Sequence, residues 1–333
     1  MNKIKWGILS TANIAKKALI PALQQSENTE VAAIASISGK AEETAEEFSI
    51  PKSYQSYEAL LDDPEIQAVY IPLPNTMHKE WVIKAAKKGK HVLCEKPAAL
   101  TLEDVQEMAD ECQKNGVLFM EAFMYQFHPQ HLRVKELIDK GAIGEVRHMH
   151  SVFTFKMNPE KNHQNIRLNK ELGGGSVWDV GCYCIHSSRY ILGQEPSEVY
   201  VKGSIHEEFG VDMKASGILS FENGVTASFE SGFEQPMNDS YEISGTSGTI
   251  KVPSAYRPDR FPGGRASIVI TDERGEEREE VLEGNPYEIQ VSHFSACILK
   301  GEHPVYTSFA TMQNIKAIQA CYQSMEKNSP IKL

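Results

Sequence analysis

Between Ile4 and Glu121 the chain alternates short apolar runs with longer stretches in which apolar residues recur every three or four positions. The short runs are Ile4 to Leu9, Val31 to Ser36, Ala68 to Ile71, His91 to Cys94 and Leu118 to Glu121. Amphipathic helices are predicted between them, starting at Asn13, Ala41 and His78 and running from Leu102 to Asn115. Strands that are apolar on both faces and separated by helices form a parallel, doubly wound sheet. After a crossover helix over Pro129 to Lys140 the period changes. A long strand is expected over Glu145 to Phe155, then a polar loop, then a helix over Ser176 to Leu192. From Glu198 to Leu282 strand follows strand without helices, and Glu222-Asn223-Gly224 reads as a hairpin turn. That is the pattern of an antiparallel sheet, closed by helices over Pro286 to Lys300 and Phe309 to Lys327. The expected fold is therefore α/β: a Rossmann domain over residues 1–123, then an α+β domain over residues 124–333 with a large, mainly antiparallel sheet.

The length of 333 residues suits two cores, and the net charge of −11 argues against a nucleic-acid surface. No apolar run reaches membrane length and no signal-peptide core follows Met1, so a cytoplasmic protein is expected. Six cysteines without a CxxC pair read as buried free thiols, and the scattered histidines predict no metal site.

Candidate chemistry sits at the carboxyl ends of the first-half strands, which border the ligand crevice in open α/β sheets. In the first turn, Ser10, Ala12 and Ala15 occupy the three glycine places of a dinucleotide fingerprint. All are small, so the backbone around Ser10, Thr11, Ala12, Asn13 and Ile14 could approach a pyrophosphate. The second strand ends without the carboxylate that usually holds the NAD ribose. Ser36, Ser38 and Lys40 stand there instead, which favours NADP over NAD, with acceptance of both left open. After the third strand Pro72 and Pro74 hold a loop extended, with Pro72, Leu73 and Asn75 as cofactor candidates. His78 either faces the cofactor or is a structural first-turn residue. The fourth strand delivers Glu95 and Lys96 to the crevice, and the bond from Lys96 to Pro97 is expected to be cis. Downstream, Gly173-Gly174-Gly175 should let backbone approach a ligand or another chain. Asp179, Tyr183 and His186 follow at helical spacing on one face.

The turn at Gly7 to Ala15, the PLPNTMH loop, Glu95-Lys96-Pro97, the MEAFMYQFHP stretch from Met120 and the GGGSVWDVGCY stretch from Gly173 together resemble the glucose–fructose oxidoreductase, inositol dehydrogenase and rhizopine-catabolism (Gfo/Idh/MocA) family. The resemblance spans nearly the whole chain. It implies hydride transfer between a nicotinamide and a sugar, polyol, dihydrodiol or other alcohol or carbonyl, with Lys96 catalytic. Members like inositol dehydrogenase carry histidine where Tyr183 stands. The pattern is nearer to the tyrosine-containing dihydrodiol dehydrogenase and glucose–fructose oxidoreductase members, which makes Tyr183 the acid/base and Asp179 its helper. His186 replaces the final acidic position of the motif, and Gln126 replaces an expected arginine. Glu95 and Glu121 join the cofactor candidates; Tyr125, Phe127, Arg167 and His186 are the substrate candidates. Arg167 could equally reach a nicotinamide phosphate or form a surface salt bridge. The resemblance also implies a homodimer or homotetramer formed through the C-terminal sheet, with a small-molecule substrate. The alternatives are an NAD-dependent glycosidase of the same fold and a non-catalytic dinucleotide or sugar sensor.

Overall fold

The computed structural model describes residues 2–333 and divides into two compact units. The first comprises Met1–Met124 with Tyr287–Met312, the second Tyr125–Pro286 with Gln313–Leu333.

Unit 1 is built on six parallel strands: β1 (Ile4–Leu9), β2 (Thr29–Ala35), β3 (Lys52–Tyr54), β4 (Ala68–Ile71), β5 (His91–Cys94) and β6 (Phe119–Glu121). Their order, β3-β2-β1-β4-β5-β6, reverses direction at β1, and a switch of this kind opens a crevice at the strands' carboxyl ends. β4 is buried along its whole length and β1 and β5 nearly so, as strands covered on both faces must be. Gly7 inside β1 leaves room for the Leu60 side chain, since a Cβ there would lie 2.5 Å from a Leu60 methyl.

The sequence pattern assigns everything after residue 123 to the second domain, yet Tyr287–Met312 packs into unit 1. The cause is long-range packing. Trp6 is fully buried, donates its indole N–H to Ser295 Oγ at 3.1 Å and lies against Phe294, while Asn28 bonds the Ser292 carbonyl. β3 and the short helix Tyr57–Leu61 are further elements that the pattern does not predict.

Unit 2 is organised on nine strands: β7 (Val146–Lys156), β8 (Glu198–Ile205), β9 (Asp212–Ser220), β10 (Thr226–Gly232), β11 (Glu234–Gly245), β12 (Gly248–Val252), β13 (Ala266–Asp272), β14 (Glu277–Leu282) and β15 (Ile331–Lys332). They run in the order β14-β13-β12-β11-β7-β10-β9-β8-β15, and every pairing is antiparallel except β7 with β10. In β10, Ala227, Phe229 and Ser231 are buried while Thr226, Ser228 and Glu230 are only partly so, the alternation of a sheet covered on one side. His148 and His150 reach the Thr226 and Ser228 hydroxyls across this sheet.

The helix after the glycine triplet starts with a π-helical turn, Val177–Gly181, and continues as α-helix from Cys182 to Leu192. A second π-helical turn, Ala15–Leu19, opens the first helix of unit 1. Both lie on segments carrying candidate residues, where such turns often occur. All six cysteines are buried free thiols. Among the described residues no helix is long and apolar enough to cross a membrane.

Candidate active-site residues

In unit 1 the turn after β1 is held in a conformation that glycine ordinarily supplies. Ser10 has φ +137°, and its hydroxyl accepts a hydrogen bond from the Ala12 N–H at 3.1 Å. Beside it lies a run of hydroxyls: Thr11 Oγ1 is 3.5 Å from Ser36 Oγ, which is 2.8 Å from Ser38 Oγ. Ser36 is buried, whereas Ser38 and Lys40 are exposed. With no carboxylate before Glu42, this edge offers donors and a cation to an anionic group. It suits a ribose that carries a 2′-phosphate.

Further along the same edge, the Lys96–Pro97 bond is cis. Glu95 accepts from the Tyr70 hydroxyl at 2.5 Å and from the Lys96 N–H at 3.1 Å. Lys96 itself is partly exposed. Two candidates given to the cofactor, Glu121 and His78, have their polar atoms bonded within the chain. Glu121 is fully buried, accepting from the Ala98 N–H at 2.7 Å and the Tyr306 hydroxyl at 3.1 Å. His78 is fully buried, its ring nitrogens 2.8 Å from the Leu73 carbonyl and 3.0 Å from the Pro97 carbonyl, and desolvation holds its pKa below the ordinary histidine value. Leu73 is buried, with that carbonyl turned to His78. These groups tie the loops after β4, β5 and β6 together beneath Lys96, in keeping with the structural reading of His78. Their burial depends on packing across three strands, which local pattern does not reveal.

In unit 2 two glycines of the triplet, Gly174 and Gly175, make room for the chain itself. A Cβ on Gly174 would lie 2.5 Å from the Arg167 carbonyl oxygen, and one on Gly175, where φ is +117°, would lie 2.1 Å from Asp212 Oδ1. Asp212 is fully buried and accepts from Ser176 Oγ, the Val177 N–H and the Tyr322 hydroxyl, which anchors the start of the helix. On that helix Asp179 receives the Arg167 Nε–H at 2.5 Å. Tyr183 stands one turn further on, 7% exposed, in a ring of aromatics: Tyr125, Phe153 and Tyr256 at centroid distances of 5.7, 5.3 and 5.6 Å.

His186 does not line an open surface. It is 2% exposed, and its Nδ1 lies 2.5 Å from the hydroxyl of the fully buried Tyr125. Desolvation first, and Arg189 next, hold its pKa well below the ordinary value. Tyr125 and His186, expected at the substrate, form an interior pair behind Tyr183. Phe127 is also buried, and His128 donates its Nε2–H within the interior to the Gly264 carbonyl at 2.7 Å. Of the substrate candidates Arg167 alone is substantially exposed, with 39% of its side chain open.

A switch-point crevice bordered by a small-residue turn, with hydroxyls and a lysine at the end of the second strand, suits a dinucleotide. Residues 4–123 match the oxidoreductase family with an NAD-binding Rossmann fold, and residues 131–251 match the GFO/IDH/MocA C-terminal domain. The chain belongs to the Gfo/Idh/MocA family of oxidoreductases. It is 38% identical over 329 residues to D-xylose 1-dehydrogenase (NADP(+)) 2 of Haloferax volcanii, covering 98% of this chain and 99% of that one. Trans-1,2-dihydrobenzene-1,2-diol dehydrogenase of Mus musculus is 32% identical, with 91% of each chain covered. Among solved structures, a 3-ketoreductase from Actinomadura kijaniata in complex with NADP and TDP-benzene superposes with a TM-score of 0.91 at 30% identity, covering 97% of this chain and 98% of that one. An aldose-aldose oxidoreductase from Caulobacter crescentus complexed with glycerol gives a TM-score of 0.91 at 27% identity over the whole of both chains.

Proposed function

We propose that this oxidoreductase moves a hydride between NADP and a sugar or related alcohol or carbonyl compound, with Tyr183 as acid/base and Lys96 assisting it. The observation that carries the reading is Tyr183 itself, a phenol set among aromatic rings one helical turn from an ion-paired carboxylate. NADP, when bound, supplies or accepts the hydride. Ser36, Ser38 and Lys40 would hold its 2′-phosphate, and the turn from Ser10 to Ile14, with Asn75, its remaining polar groups.

The chain's own task is the proton on the substrate oxygen. A tyrosine that titrates near 10 must be brought to about 8 to exchange protons near neutrality, a difference of about 2.7 kcal/mol. A nearby cation favours the tyrosinate and the developing alkoxide, which is the part this proposal gives to Lys96. Asp179 holds donors in place and accepts from a substrate hydroxyl. The rings of Tyr125, Phe153 and Tyr256 pack around the Tyr183 ring, so the ring has little freedom to lose at the transition state.

NADP dependence and sugar substrates are supported by the relatives: the Haloferax enzyme is a D-xylose dehydrogenase that uses NADP, and the Actinomadura enzyme binds NADP. Assembly into a dimer or tetramer through the nine-stranded sheet, and a cytoplasmic location, belong to the same reading. Steady-state nicotinamide absorbance across aldoses, polyols and diols, with NADP and NAD in separate series, tests it. Turnover of at least one aldose with NADP is expected; sugar released from a glycoside without net nicotinamide reduction would replace the reading with a hydrolase.

A further inference from the structure

We infer that Arg167 is a positioning residue for Tyr183: through Asp179 it fixes a guanidinium charge beside the tyrosine and thereby lowers the pH at which Tyr183 exchanges its proton. The inference rests on the reading of Tyr183 as acid/base.

Arg167 is immobilised from both backbone sides. Its N–H donates to Asn165 Oδ1 at 3.1 Å and its carbonyl accepts from the Gly175 N–H at 3.0 Å. That second bond exists only because position 174 is glycine, since a Cβ at that position would stand 2.5 Å from the same carbonyl oxygen. The polar loop is thus stitched to the root of the helix that bears Asp179 and Tyr183. The side chain is aimed as well, with Nε on Asp179 and the guanidinium carbon 5.7 Å from the centroid of the Phe155 ring. A surface arginine serving only solubility needs neither a glycine-built seat nor an aromatic platform.

The charge balance around Tyr183 favours this role. Asp179 is the main cause that raises the Arg167 pKa, and Tyr183 acts in the same direction. By reciprocity the guanidinium favours the tyrosinate. Apart from the Lys96 ammonium assigned to Tyr183 above, the aromatic side chains packed against it add little charge of their own. Phe153 is neutral, burial holds the Tyr256 phenol protonated, and His186 behind Tyr125 is kept neutral. Arg257, which opposes the Arg167 charge, is itself paired with Asp259. With Arg167 gone, the Asp179 carboxylate, about 6 Å along the helix from Tyr183, would no longer be offset by the guanidinium charge.

The measurement is a tyrosinate absorbance titration of the full chain, with the Tyr183→Phe trace subtracted so that only Tyr183 is read. Arg167→Met is expected to raise the Tyr183 midpoint by about one pH unit. Arg167→Lys, which keeps the charge and guards against a folding defect, is expected to fall between Arg167→Met and the wild type. The same shift should appear in the pH dependence of kcat for aldose oxidation with NADP, at nearly unchanged KM. An unmoved Tyr183 midpoint in Arg167→Met, with KM alone raised, overturns the inference while a dead Tyr183→Phe leaves the acid/base reading standing. Full turnover by Tyr183→Phe overturns both.

Discussion

Replacing Glu121 by alanine tests whether the loop that presents Lys96 is held from below. The carboxylate is completely buried and accepts two hydrogen bonds, from the Ala98 N–H two residues after Lys96 and from the Tyr306 hydroxyl. Hydrogen bonds to a charged group contribute about 1.5–3 kcal/mol each, and a buried donor left without a partner costs about 1–3 kcal/mol. Two donors are stranded at once. Partial entry of water offsets some of this, so Glu121→Ala should destabilise unit 1 by about 3–5 kcal/mol. Urea unfolding followed by circular dichroism measures the loss. Tyr306→Phe removes one donor together with one bond and should cost only about 1–2 kcal/mol. The double variant should then cost less than the sum of the two single ones. Because Ala98 lies beside Lys96, Glu121→Ala should also lower kcat more than it raises KM for NADP. A destabilisation below about 1 kcal/mol, or strict additivity with Tyr306→Phe, would refute the idea that Glu121 is the loop's anchor and return it to the cofactor.

Three further outcomes are expected. Ser10→Gly, which places glycine where φ is +137°, should raise stability by about 1 kcal/mol with NADP affinity retained; a loss of stability would mean that the Ser10 hydroxyl bond to Ala12 outweighs the backbone strain. Gly175→Ala should destabilise unit 2 by about 3 kcal/mol or more, since its Cβ would meet Asp212 Oδ1 at 2.1 Å, and a thermal midpoint equal to the wild type would contradict the close approach. Burial pushes the Asp239 pKa up to about 6, mitigated by the Arg257 N–H and by Arg260. A folded pKa above the unfolded one makes this group's contribution greatest below about pH 4 and lost as pH rises through about 6. Asp239→Asn should therefore stabilise the protein by about 1 kcal/mol or more at pH near 7.5 and flatten the stability profile between those limits; an unchanged profile would place the carboxylate in contact with water.

What is legible in the sequence follows from period and turn chemistry. The strands from Ile4 and His91 read directly because each is a short apolar run bounded by breakers, and the Asn223-Gly224 turn is seen with Gly224 at φ +81°. β3 escapes notice because Lys52–Tyr54 is only three residues long and carries no apolar pattern. The return of Tyr287–Met312 to unit 1 depends on what Trp6 and Asn28 meet nearly three hundred residues later. Among the site candidates, residue type marks Lys96, Asp179 and Tyr183, but it does not distinguish a side chain facing a ligand from one facing the interior. Glu121, Tyr125 and His186 fall on the interior side because their polar atoms find partners in distant segments. One available signal is spacing: Tyr125 follows a buried strand by only four residues, close enough to stay inside. The partner of Asp179 is not legible at all, since a loop of polar residues gives no indication of which one the glycine triplet will fix.

The central claim is that Tyr183 moves the proton that accompanies hydride transfer. Single-turnover reduction of NADP by an aldose, recorded for wild type and Tyr183→Phe under saturating cofactor, tests it most directly. The account predicts that Tyr183→Phe binds NADP with unchanged affinity yet reduces it at least a hundredfold more slowly, in the range expected for loss of general acid–base catalysis, roughly 10²–10⁴-fold. Equal rates for the two proteins would contradict it.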